Sequence, residues 1–85
     1  MANGRASLLS RITIDPHICG GRPCIRGMRY RVSELLGYLA AGNSVAEVVE
    51  QFPGLEPDDV RACLAYAQAA TDGRPVYFGA DREAA

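Results

Sequence analysis

The first regular pattern in the chain is a short alternation at residues 11–14, where Arg-Ile-Thr-Ile carries β-branched side chains. This alternation predicts a short strand, which Asp15-Pro16 ends because proline has no N–H to donate. Three glycines and one proline within residues 20–27 then exclude a regular helix. We therefore expect a glycine turn and a second brief strand around Cys24–Arg26.

Helical periodicity begins at Val32 and predicts three helices. The first is followed by Gly42-Asn43, a left-handed stop signal. The second has Ser44 as its N-cap with Glu47 in capping-box spacing, and the third covers residues 57–70. The expected core positions of the three helices are Val32, Leu35, Leu36 and Leu39, then Val45, Val48, Val49 and Phe52, then Val60, Cys63, Leu64 and Ala67.

These elements predict a mainly α fold, in which a three-helix helix-turn-helix unit follows a short N-terminal β element. We divide the chain into a flexible lead at 1–10, the β element and helices at 11–70, and a C-terminal tail at 71–85 as a candidate partner-binding segment. A chain of 85 residues buries only about 60–65% of its unfolded surface, so a homodimer or a partner is expected. A second apolar stripe on the third helix predicts a dimer contact at Ala62, Tyr66 and Ala69, with one wide core face as the alternative.

Charge is unevenly distributed along the chain. Residues 1–31 hold six arginines and one acid, whereas residues 32–60 hold six acids and no base. A basic block suits phosphates or an acidic protein, and its alternative role is to neutralise the domain's own acids. Acidic residues at the start of the third helix would repel DNA phosphates, which weighs against binding of that helix in the major groove of DNA. We predict nucleic-acid contacts at Arg22, Arg26, Arg29, Arg31 and Arg61.

The sequence contains few residues that could form a catalytic site. His17 is the single histidine, so a Ser-His-Asp or Cys-His set is not expected and we predict that the protein is not an enzyme. His17, Cys19 and Cys24 lack the spacing of a zinc site, and neither a metal nor a cofactor is expected. The odd number of cysteines, together with the lack of a membrane-length apolar run or a signal peptide, predicts a cytoplasmic protein without membrane contact.

Two stretches, ITIDPHICGGRPCIRGMRYRV and LLGYLAAGNSVAEVVEQFPGLEPDDVRACLAYA, together resemble the bacterial domain-of-unknown-function family 433 over roughly residues 11–69. The most specific piece is GGRPCIRGMR at residues 20–29. This chain has Met28, Tyr30 and Arg31 where the family usually has Thr, Ile and Pro. The resemblance implies a homeodomain-like three-helix unit and an antitoxin of a type II toxin-antitoxin pair. Such an antitoxin inhibits a toxin of PIN-like nuclease fold, with operator DNA as a further partner. The alternatives are a stand-alone helix-turn-helix transcriptional regulator and a non-catalytic interaction module.

The resemblance also gives the tail a role, because antitoxins of this broad kind commonly cover the toxin with a C-terminal segment. We predict that Val76, Tyr77 and Phe78 anchor in an apolar groove of the toxin. Arg74 or Arg82 then pairs with the carboxylates of its acidic site and blocks substrate phosphate. The alternatives are that residues 76–78 fold back onto the domain or pair as a strand across a dimer.

Overall fold

The computed structural model describes residues 4–72, except for the side chains at positions 5 and 6. It is a mainly helical fold with a short β element near its N-terminus, as predicted. In chain order, its elements are α1 (Gly4–Leu9), β1 (Ile12–Thr13), a single 3-10 turn (Cys19–Gly21), β2 (Cys24–Ile25), α2 (Val32–Ala40), α3 (Val45–Gln51) and α4 (Pro57–Thr71).

The β element is a two-stranded antiparallel ladder in which Ile12 of β1 lies opposite Ile25 of β2. The chain turns sharply after β2. Arg26 and Gly27 have φ values of 44° and 73°, and positive φ at both central residues is what a type I′ turn requires. The N–H of Met28 closes the turn by donating to the carbonyl of Ile25 at 2.7 Å. The turn thereby fixes the direction in which Arg26 leaves the sheet.

The predicted capping box of α3 is confirmed. The hydroxyl of Ser44 accepts a hydrogen bond from the backbone N–H of Glu47 at 3.1 Å, and the Glu47 carboxylate accepts from the N–H of Ser44 at 2.7 Å. These two bonds satisfy backbone donors that a helix start otherwise leaves without partners. The helix-turn-helix order is α3, a turn at residues 52–56, and α4, which has Pro57 in its first turn.

The core lies where α2, α3 and α4 meet β2. Phe52, at the end of α3, packs in this core beside two tyrosines. The rings of Tyr30 and Tyr38 lie edge-on to the Phe52 ring, with centroid distances of 5.0 and 5.2 Å. The hydroxyl of Tyr30 donates to the carbonyl of Pro53 at 2.9 Å, so this aromatic residue ties the loop before α2 to the turn before α4. The buried cluster comprises Ile25, Val32, Leu35, Val48, Phe52, Leu55, Val60 and Cys63.

Two predictions made from the sequence need correction. Residues 1–10 were expected to be a flexible lead, but residues 4–9 form α1, which packs against α4. Ala62 was expected in a dimer contact, but it is 0% exposed within the single chain and therefore cannot reach a second subunit. At this position, the second apolar stripe of α4 is part of one wide core face, which was the alternative to a dimer contact. Tyr66 is half-buried and Ala69 is exposed, so both remain accessible.

Candidate functional site

The most constrained polar group in the described residues is the carboxylate of Asp59, which is 0% exposed. Its Oδ1 accepts hydrogen bonds from Arg11 Nη1 at 3.0 Å and from Arg26 Nε at 2.9 Å. Its Oδ2 accepts from Arg26 Nη2 and from the backbone N–H of Glu56, both at 2.7 Å. Four donors match the roughly four acceptor positions of a carboxylate, so the buried charge is fully satisfied.

The β ladder explains why two arginines meet one carboxylate. Arg11 and Arg26 flank the paired residues Ile12 and Ile25, and the N–H of Arg26 donates to the carbonyl of Arg11 at 2.8 Å. Residues opposite each other in an antiparallel ladder project to the same side. Both guanidinium groups therefore point to the start of α4, where Asp59 lies in the first turn.

We call Arg11, Arg26, Glu56 and Asp59 the Asp59 cluster. Arg11 also pairs with Glu56 at 2.8 Å, and Arg26 Nη2 donates to the carbonyl of Gly54 at 2.8 Å. The cluster contains two positive and two negative side chains, so it carries no net charge. It joins the β element to the α3–α4 turn and to α4, which is a structural role.

The pKa of Asp59 is set by two opposing effects. Burial pushes the pKa of this carboxyl upward, but the hydrogen bonds from Arg26, the N–H of Glu56 and Arg11 outweigh burial and hold the pKa below its ordinary value. Hydrogen bonding to Asp59 raises the pKa of Arg26, and hydrogen bonds to Glu56 and Asp59 raise that of Arg11. Asp59 and the two arginines that bind it are therefore ionised near neutral pH.

The structure divides the five predicted nucleic-acid residues into two groups. Arg26 is committed to Asp59, and Arg61 pairs with Asp58 at 2.8 Å on the exposed surface of α4. For these two, the geometry favours the alternative that the arginines neutralise the domain's own acids. Arg61 is the only base in α4 (Pro57–Thr71), so the second helix of the helix-turn-helix unit presents little positive charge.

The other three, Arg22, Arg29 and Arg31, form what we call the basic cluster. Within residues 4–72 none of them makes an ion pair. Arg29 and Arg31 lie close enough to Cys24 for their positive charges to act on its thiol, and Arg31 forms a β-bridge with Cys24. Arg22 lies two residues before Cys24 and is exposed, as is Arg29. The sequence prediction of binding at these positions stays a prediction.

Cys24 and Cys63 are buried thiols with raised pKa values. Burial, followed by the neighbouring Cys19, raises the pKa of Cys24. Burial and the negative charge of Asp59 raise the pKa of Cys63 to about 12. Thiols of this kind are mostly protonated at neutral pH and make poor nucleophiles. His17 is exposed, and its backbone N–H donates to Asp15.

No group of three or more His, Cys, Asp or Glu side chains within residues 4–72 could hold a metal ion. No helix in the same part of the chain is long and apolar enough to cross a membrane. The predicted partner-binding residues lie outside the described part of the chain, namely Arg74, Val76, Tyr77, Phe78 and Arg82.

An apolar groove of about 500 Å³ runs between the start of α2 and the end of α4. Val32 and Leu36 of α2 line one wall, Tyr66 of α4 lines the other, and Arg22 of the basic cluster also lines the groove. Sequence analysis did not find this groove, because Val32, Leu36 and Ala67 were assigned to the core. A concave, mostly apolar surface is the kind of place where ligands and partner segments commonly bind.

The family model described as "Protein of unknown function (DUF433)" matches residues 12–67, which include both strands and most of the three main helices. The chain belongs to the DUF433 family.

Two individual DUF433 comparisons agree with the family model. "Uncharacterized protein y4eO" of Sinorhizobium fredii (strain NBRC 101917 / NGR234) is 38% identical over 69 residues, which cover 80% of this chain and 31% of that protein. The chain thus spans about a third of that relative's length. The crystal structure of a DUF433 member from Anabaena variabilis ATCC 29413 is 31% identical with a TM-score of 0.69, covering 84% of this chain and 70% of that one.

Proposed function

We propose that this DUF433 protein is a cytoplasmic, non-catalytic antitoxin that binds and inhibits a PIN-like nuclease toxin. The observation that carries the proposal is the basic cluster, in which Arg22, Arg29 and Arg31 make no ion pair within residues 4–72. The Asp59 cluster, by contrast, already pairs its own charges. A scaffold that satisfies its buried charge, and in residues 4–72 leaves two exposed arginines and one partly exposed arginine without an ion pair, suits the binding of an acidic surface.

The chemistry of these arginines fits the proposed target. A guanidinium group forms two parallel hydrogen bonds with a carboxylate or phosphate and stays ionised throughout the physiological range. A nuclease that gathers carboxylates around a divalent metal offers such acceptors beside its substrate channel. The tail prediction extends this contact, with Arg74 or Arg82 at the acidic site and residues 76–78 in an apolar groove of the toxin.

A stand-alone transcriptional regulator is the second candidate, and the helix-turn-helix order of α3 and α4 favours it. The same basic cluster would then contact phosphates, while α4 contributes only Arg61, whose charge Asp58 balances. Three phosphate contacts predict a slope of about −3 in log affinity against log salt. Autoregulation by an antitoxin requires the same DNA contacts. The longer y4eO also fits the third possibility, a module that serves a larger protein.

The test is co-expression of this protein with the product of the adjoining reading frame, scored by growth rescue and co-purification. We expect the parent chain to rescue growth and form a stable complex. Replacing Arg22, Arg29 and Arg31 together with Gln should weaken the complex and abolish rescue, because three charges that face the partner are removed. The matched control is Arg61→Gln, which removes an exposed arginine already paired with Asp58 and should leave rescue intact.

The outcomes separate the candidates. Rescue that survives the triple substitution would refute the role given to the basic cluster. Absence of both rescue and complex, combined with sequence-specific DNA binding of steep salt dependence, would replace the antitoxin with the regulator. Circular dichroism of each variant confirms that it is folded. Sedimentation of the parent chain tests the expected homodimer, for which Tyr66 and Ala69 are the remaining contact candidates.

A further inference from the structure

The groove between α2 and α4 lies where the described chain leaves its last helix. Ala67, Ala70 and Thr71 of α4 form one wall, and Val32 and Leu36 of α2 form the other. Asp72 has extended φ and ψ values of −66° and 127°, so the backbone departs from the helix there. The residues that follow include Val76-Tyr77-Phe78, three consecutive large apolar residues within a few positions of an apolar groove.

We propose that Val76, Tyr77 and Phe78 occupy this groove of their own chain. The occupant matches the site in size, because about 500 Å³ lies within the roughly 300–1,000 Å³ of pockets that enclose a small organic molecule. Each aromatic side chain has about 150–250 Å² to bury, which an exposed segment would leave in water. Most of the lining residues are apolar, among them Val32, Leu36 and Ala67, and such an occupant packs against them.

The connecting segment is long enough for this return. Tyr77 lies five positions after Asp72, and an extended chain spans about 17 Å over that distance. The wall from Tyr66 to Thr71 is about 7.5 Å long at the rise of an α-helix. Gly73 gives the chain freedom to reverse, and Pro75 prevents α4 from continuing through the segment.

Tethering favours the chain's own segment over that of a second molecule. A short flexible connection gives a local concentration of about millimolar or more, whereas a second chain is present only at its bulk concentration. At micromolar protein, the tethered segment therefore outcompetes another copy by about a thousandfold. This inference concerns the free chain and does not rest on the antitoxin proposal. If both hold, a toxin that binds the tail must first displace it from the groove.

A single tryptophan can report on the groove, because the natural chain has none. In the full chain carrying Phe78→Trp, we expect blue-shifted emission and severalfold weaker acrylamide quenching than in the urea-unfolded chain. Both should stay constant over about a hundredfold range of protein concentration, because a tethered contact does not depend on it. Adding Ala70→Arg, at an exposed position in the groove wall, should restore full quenching.

Ala69→Arg is the matched control, since Ala69 is exposed on the same helix but does not line the groove. It should leave the tryptophan protected. Ser33→Arg, at an exposed position on the α2 wall, provides a second blocking variant. Quenching as strong as in the unfolded chain would overturn the proposal. So would protection that appears only with a dimer mass in sedimentation, which would assign the groove to a second copy, or equal exposure by the Ala69 and Ala70 variants.

Discussion

Replacing Asp59 with Asn is the sharpest test of the Asp59 cluster. The amide keeps the size of the side chain but removes the charge that holds Arg11 and Arg26. Removal of one partner from a buried ion pair costs about 3–5 kcal/mol. The two arginine side chains are 27% and 36% exposed, so water can partly solvate them after the change. We therefore expect a loss near the lower limit, about 3 kcal/mol.

A loss of this size is large for this domain. The free energy of unfolding expected for 85 residues is about 4–13 kcal/mol. Urea unfolding followed by far-ultraviolet circular dichroism measures the change near neutral pH. The matched control is Asp58→Asn, which breaks an exposed pair between residues three apart in α4 and should cost about 0.5 kcal/mol or less.

The pH dependence provides a second readout of the same variant. Because the folded pKa of Asp59 lies below its unfolded value, its stabilising contribution is present above about pH 4 and is lost as the pH falls through the folded pKa. The Asn variant lacks this group, so the stability difference from the parent should shrink in acid. Equal losses for the Asp58 and Asp59 variants, or a difference that does not change with pH, would refute the reasoning.

Three further predictions address the α3 cap, the α4 core face and a buried thiol. Ser44→Ala removes the hydroxyl that accepts from the α3 backbone and should lower the free energy of unfolding by about 1 kcal/mol in urea titrations; an unchanged midpoint would contradict the cap's role. Ala62→Arg should cost more than about 2 kcal/mol, since the position is fully buried; a folded variant altered only in oligomeric mass would instead place Ala62 at a subunit contact. Cys63, whose pKa burial raises to about 12, should react with iodoacetamide much more slowly than half-buried Cys19, as read by peptide mass spectrometry; equal rates would show that α4 opens readily.

Elements specified by neighbouring residues were predictable from the sequence. The Ser44–Glu47 capping box lies within four residues, and the apolar spacing from Val32 onward marks α2 directly. Helix α1 was missed because its six residues have few helix signals of their own, and a helix that short depends on its packing against α4.

The buried carboxylate was less predictable, because its partners are distant in sequence. Asp59 bonds to residues 33 and 48 positions away, and no local pattern reports such pairs. The sequence did contain one indication that Asp59 is buried. Its position begins the i, i+3, i+4, i+7 spacing of a buried helix face, followed by Ala62, Cys63 and Tyr66. Leu64 was placed in the core for a related reason. The apolar positions of α4 cover two faces, and the face with Val60 and Cys63 enters the core, which leaves Leu64 46% exposed.

The central position of α4 has a consequence for the order in which the chain folds. This helix packs against α1, α2, α3 and β1, yet it is the last described element to leave the ribosome. Until it emerges, Arg11 and Arg26 lack their shared counter-ion and the core lacks Val60 and Cys63. A nascent chain that stops before residue 57 is therefore expected to remain unfolded and open to proteases, and folding becomes a single late step rather than a stepwise one.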